Sequence, residues 1–231
     1  TYVLFATYPI CHWSGTLGPK LRTGDKQAPE GFYTITKAQL HHSGRWPKSL
    51  NLGFPNIYDQ SLARTGSDIL IHGGCSSVGC YAMTNPVMDE IYQLTFSALE
   101  AGETHVPVQV FPFHMTEENM KARPNSPWTD YWANLKEGHD AFEKIKQQVK
   151  VSTCNGRYIF DTAGRVAGPV EACAPTLVTI KDQDQWLNGV PPPSTPPHNE
   201  PASPASLETE TKLGNVRAVP SAEPPPRAEL Q

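Results

Sequence analysis

A short apolar run, "DILIH" at 68–72, leads into Ile71 to Asn85, "IHGGCSSVGCYAMTN", and a proline follows at position 86. Few local folds accommodate that order. The apolar run suits a short buried strand. Glycines at 73, 74 and 79 suit tight turns that other residues resist. Thr84 or Asn85 can cap a helix whose first turn accepts Pro86. Strand, tight turn and helix start therefore fall within about twenty residues, together with one histidine, two cysteines and the hydroxyl pair Ser76 and Ser77.

Three chemistries fit the stretch. His72, Cys75 and Cys80 have the spacing H-x2-C-x4-C, but a structural zinc site wants four ligands. The rest would have to come from Cys154, Cys173, His41 or His42. A purely structural role is the second option, because buried cysteine behaves as a small hydrophobe. The third is a nucleophilic cysteine. A thiol needs a base or a positive field to become a thiolate near neutral pH. A turn of eight residues can bring Cys80 back beside His72. The amides of Val78, Gly79 and Cys80 can then hold an oxyanion.

The five cysteines are Cys11, Cys75, Cys80, Cys154 and Cys173. If one is a nucleophile, the other four allow three connectivities. Cys154 and Cys173 lie on either side of the strand-like "RYIFD" and could bridge, which leaves Cys11 with Cys75. The alternative is five reduced thiols, as in a cytosolic enzyme.

Around this centre the chain reads as mixed α and β. Strand composition marks 1–10, 31–37, 105–113, 148–154, 157–161 and 176–180, and 41–60 reads as irregular. Helices are expected from Thr84 or Asn85 to Gly102, over 116–122, and over 127–149, where Trp128, Tyr131, Trp132, Leu135, Phe142 and Ile145 share a face. Hydrophobic content is 38% with 23 prolines, because the last forty-odd residues dilute an ordinary globular part. The expected division is 1–186 as the catalytic domain and 187–231 as a disordered tail rich in Pro, Ser and Glu. A net charge of -4 gives no basic footprint for nucleic acid. No apolar run reaches the ~18 residues of a membrane span. The chain starts at Thr1, as expected of a processed form or a fragment, from which an export signal could have been lost.

"IHG" followed by S-x-G-C-x-x-M-x-N resembles the L,D-transpeptidase (YkuD) motif. It is most similar to the murein L,D-transpeptidase-like branch, which includes a hydrolase that detaches a lipoprotein lysine from diaminopimelate. "YPICHWSGTLGPKLRTGDKQAPEGFYTI", "LNLGFPNIYD" and "FPFHMT" extend the resemblance over about residues 1–160. It implies an α+β, mainly β fold: a β-sandwich or sheet core with inserted helices. It further implies a periplasmic or cell-envelope enzyme acting on peptidoglycan stem peptides or a peptidoglycan-attached lipoprotein. No cofactor and no metal are called for.

By the same resemblance, Cys80 is the nucleophile and His72 its base, and the Gly73 carbonyl orients the imidazole. Val78, Gly79 and Cys80 supply oxyanion amides, while Ser77 and Asn85 hold the loop. Two positions depart from the motif: Val78 stands for a second histidine and Ala82 for an arginine. Arg64 or Arg45 would then have to read a substrate carboxylate, and hydrolysis gains ground over transpeptidation. The family usually carries one or two strands before Thr1, so an exposed unpaired strand is expected. The competing expectation is a catalytically inactive peptidoglycan-binding protein on the same fold.

Overall fold

A computed structural model describes residues 2–163 and 168–173. The strands are β1 (Gly31–Ile35), β2 (Leu40–His41), β3 (Ser49–Asn51), β4 (Leu70–His72), β5 (Tyr81–Ala82), β6 (Val106–Val110), β7 (Lys150–Cys154), β8 (Arg157–Asp161) and β9 (Glu171–Ala172). The helices are α1 (Ile57–Ser61), α2 (Asn85–Glu100), α3 (Glu117–Lys121) and α4 (Thr129–Ile145). The fold is mixed α and β, with more strand elements than helices. The expected strand at 176–180 and the tail from 187 lie outside the described residues.

The strands form three sheets: β2-β3-β4-β5, β8-β7-β9 and the pair β1-β6. In the first, β3 runs antiparallel to β2 and β4, and β5 runs parallel to β4. Pro107 lies within β6, whose one strand partner among the described residues is β1. That placement follows from the missing N–H, which confines proline to edges.

Helix α2 starts where its caps predict. Thr84 is the N-cap, Pro86 sits in the first turn, and Gly102 follows the end at φ +112°. Its buried residues are Met88, Tyr92, Thr95 and Leu99, a stripe at helical spacing. Met88, Tyr92 and Leu99 pack with Ile35, Leu40, Leu50 and Met83. Burying such a side chain contributes about 1.5–3 kcal/mol. Helix α4 buries Trp132 and Leu135. Its buried Asn134 pairs with the Tyr158 backbone of β8, accepting from the N–H at 2.8 Å and donating to the carbonyl at 3.0 Å. Gly138 lets α4 come close: a Cβ there would lie 2.4 Å from both the Phe32 and Phe160 rings.

Two expectations need correction. Of the expected strand at 1–10, residues 2–10 form none, and Val3, Leu4 and Phe5 are exposed. An apolar run becomes a strand only where an edge accepts it, and β5 is two residues long. Its Ala82 is taken by Cys11 and His12, whose N–H groups donate to its carbonyl, while its own N–H donates to His12. Residues 41–60 are more ordered than their composition predicts, holding part of β2, all of β3 and most of α1. Helix α1 begins at a reciprocal cap: the Asp59 N–H donates to Asn56 Oδ1 and the Asn56 N–H to Asp59 Oδ2. Among the described residues, no helix is long and apolar enough to cross a membrane.

Candidate active site

Parallel strands usually need a crossover of a dozen or more residues. Here β4 and β5 are joined by residues 73–80 alone. Backbone at positive φ closes so short a loop: Gly74 at +94°, Cys75 at +50° and Gly79 at +104°. The Cys11–Cys75 disulfide, with Cα atoms 5.1 Å apart, ties the loop to the N-terminal segment. The Cys75 N–H donates to the Met83 carbonyl, and the Met83 N–H donates to the His72 carbonyl at 2.7 Å. Two glycines mark close approaches. A Cβ on Gly73 would lie 2.4 Å from Asn85 Oδ1, and one on Gly74 would lie 2.9 Å from the Trp46 ring.

His72 ends β4 and is buried, at 2% exposure. Its Nδ1 lies 2.5 Å from the Gly73 carbonyl oxygen. A carbonyl only accepts, so Nδ1 carries the hydrogen and Nε2 keeps a lone pair. That is the tautomer a proton acceptor requires. The Trp46 ring stacks on the imidazole with centroids 4.3 Å apart.

Cys80 is the free cysteine among the described residues, and it is partly exposed. Cys154 and Cys173 form the second disulfide, with Cα atoms 5.4 Å apart. His72 pairs in register with Ala82, two residues beyond Cys80. Cys80 itself precedes β5, at the end of the loop that begins after His72. No hydrogen bond joins the two side chains. Sγ accepts the Leu70 N–H at 3.3 Å and lies 3.7 Å from the Asp68 carbonyl oxygen. It opens on a cleft of about 180 Å³ lined also by Lys20, Lys26, Ser67 and Val78. Clefts of about 740 and 590 Å³ lie elsewhere, lined by neither Cys80 nor His72.

The amides around Cys80 have partners. The Gly79 N–H donates to Ser14 Oγ at 2.6 Å. The Cys80 N–H donates to Ser77 Oγ at 2.8 Å, and that hydroxyl donates to the Cys80 carbonyl at 2.7 Å. Val78 is 71% exposed at the rim. An oxyanion at Cys80 would therefore displace a serine hydroxyl from the Gly79 or Cys80 amide.

Of the two arginines expected to read a carboxylate, Arg64 is unavailable. It is 7% exposed, donates to Asp59 Oδ1 at 2.8 Å, and packs on the Tyr58 and Tyr131 rings. Burial alone would favour losing its proton; the Tyr131 hydroxyl and the Asp59 carboxylate outweigh this and hold the guanidinium charged. Arg45 is exposed and lies over Trp46, 5.3 Å from the ring. Cys75, a ligand in the zinc alternative, is closed in its disulfide. His42 bonds the Tyr92 hydroxyl, and His114 lines the 590 Å³ apolar cleft, away from Cys80. Ser14 and Trp46 escaped the sequence reading. Both reach the site from distant loops, and no spacing signal marks them.

Residues 5–110 match the YkuD family model, described as the L,D-transpeptidase catalytic domain. The chain is 47% identical over 158 residues, 68% of its length, to the protein named "Putative L,D-transpeptidase YafK" from Escherichia coli strain K12, with the same figures for its O157:H7 counterpart. The match spans 64% of the length of these relatives. Among solved structures, the helical cell shape determining protein Pgp2 of Campylobacter jejuni aligns with a TM-score of 0.34 and 17% identity, over 60% of this chain and 61% of that one.

Proposed function

Residues 5–110 belong to the L,D-transpeptidase (YkuD) catalytic-domain family, and from that premise we propose that the protein is a cysteine acyl-transfer enzyme of the cell envelope, acting on diaminopimelate-containing peptidoglycan stem peptides. The observation that supports the reading is one free thiol, Cys80, at the end of the short loop that leaves the buried strand-end His72, the other four cysteines being closed. Two disulfides also suit an oxidising compartment such as the periplasm.

In this mechanism Nε2 of His72 takes the Cys80 proton, and the thiolate attacks the carbonyl of a diaminopimelate residue. The oxyanion displaces the Ser14 or Ser77 hydroxyl from the Gly79 or Cys80 amide. The proton returns to the leaving amine, and a thioester remains on Sγ. Water resolves it to an acid, or a second stem's amine resolves it to a new amide. Ala82, at the place of the motif arginine, favours hydrolysis, including release of a peptidoglycan-attached lipoprotein.

One observation favours a second reading, an inactive peptidoglycan-binding protein: Sγ bonds to Leu70 rather than to His72. Unliganded catalytic sites often show such loose geometry. Mass spectrometry of muropeptides incubated with wild type and Cys80→Ala, with and without added amine, decides. Product from wild type alone supports catalysis and separates hydrolysis from transfer. Identical spectra from both proteins would exclude catalysis by Cys80 on these substrates.

A further inference from the structure

Trp46 stands outside both the family motif and the mechanism above, yet its ring is the nearest aromatic partner of the proposed base. We infer that Trp46 is a positioning residue for His72: its π face holds the imidazole and stabilises the imidazolium formed when Cys80 gives up its proton. The inference rests on the His72–Cys80 reading and adds a residue to it.

Three observations carry it. The centroid separation of 4.3 Å with a 32° tilt lies within cation–π range. His72 is 2% exposed, so water screens the contact little. Gly74 leaves the space Trp46 occupies, since a Cβ there would lie 2.9 Å from the ring. The second glycine of "IHGG" thus serves the indole as well as the turn. The neighbouring charged and titratable groups are few. Arg45 lies over the indole, and its positive charge works against the imidazolium. Lys48, on the same loop, is paired with Asp89 of α2 at 3.1 Å. His12 sits opposite Ala82 in register, and Cys80 is the proton donor. Among the described residues no ion pair joins a carboxylate to the imidazole, so the indole and the Gly73 carbonyl, 2.5 Å from Nδ1, are the groups there that favour the cation.

The test uses the oxidised full chain and iodoacetamide. Cys80 is the one free thiol among the described residues, and the thiolate displaces iodide to form an S–C bond. The alkylation rate is followed against pH for wild type, Trp46→Phe, Trp46→Leu and His72→Ala, with circular dichroism confirming folding. Leucine keeps apolar cover without the π face. Its midpoint is expected to move up by about half a unit to one unit, with phenylalanine falling between leucine and wild type. If leucine follows the wild-type curve while His72→Ala departs from it, the base reading stands and the role of Trp46 is overturned. If His72→Ala also follows wild type, both fall. Should the leucine variant misfold, the phenylalanine curve carries the test: an unmoved midpoint there, with His72→Ala displaced, equally overturns the inference.

Discussion

Ser14 and Gly79 lie 65 positions apart, yet the Gly79 N–H donates to Ser14 Oγ at 2.6 Å. The same hydroxyl donates to the Lys26 carbonyl at 2.7 Å. One side chain thus joins the N-terminal segment, the loop before β1 and the loop that carries Cys80. In Ser14→Ala the Gly79 N–H loses its acceptor. A lost hydrogen bond of this kind costs about 1 kcal/mol. Urea unfolding should show that loss, and amide exchange at Gly79 should accelerate. Unchanged exchange would mean that solvent already satisfies this amide.

The Cys11–Cys75 disulfide closes a 64-residue separation and anchors the segment that presents Ser14. A disulfide typically contributes about 2–4 kcal/mol of stabilisation, and a long loop lies at the upper end of that range. The double variant Cys11→Ser, Cys75→Ser is expected to unfold at lower urea by that amount under non-reducing conditions. Gly79 exchange should accelerate in it as in Ser14→Ala. A double variant with native Gly79 protection would show that the His12–Ala82 pairing holds the segment alone.

Arg64 tests whether an arginine expected to recognise substrate has been spent on the core. Its partner Asp59 is fully buried and also accepts the Tyr33 hydroxyl at 3.1 Å. Arg64→Met strands that carboxylate, which typically costs about 3–5 kcal/mol. Asp59→Asn with Arg64→Met should recover part of the loss. A stable Arg64→Met protein with weakened substrate binding would instead return Arg64 to the site.

Asp25 organises the loop beside the Cys80 cleft. Burial alone would raise its pKa. The Arg22 N–H, the Lys20 ammonium and the Gln27 and Leu21 N–H groups outweigh burial and bring it down to about 2. A depressed carboxyl stabilises the fold above its unfolded pKa near 4, and that stability disappears as pH falls toward 2. The shift corresponds to about 2 kcal/mol. Urea unfolding of wild type and Asp25→Asn should differ by about that much at pH 6 and converge near pH 2. A pH-independent difference would assign the effect to lost loop hydrogen bonds instead.

The sequence by itself determined the local grammar of the site. Thr84 and Pro86 opened a helix, "DILIH" held a strand, and glycines turned the chain between them. These signals are legible because each rests on a residue's own φ preference, cap or missing N–H, which acts on near neighbours. Tertiary structure decided the rest. It left residues 2–10 without a strand edge, buried Arg64 on Asp59, and brought Trp46 onto His72 and Ser14 onto Gly79. Such contacts join residues far apart in the chain. Their energy exists only once packing has brought the partners together and excluded water, so no local pattern records them.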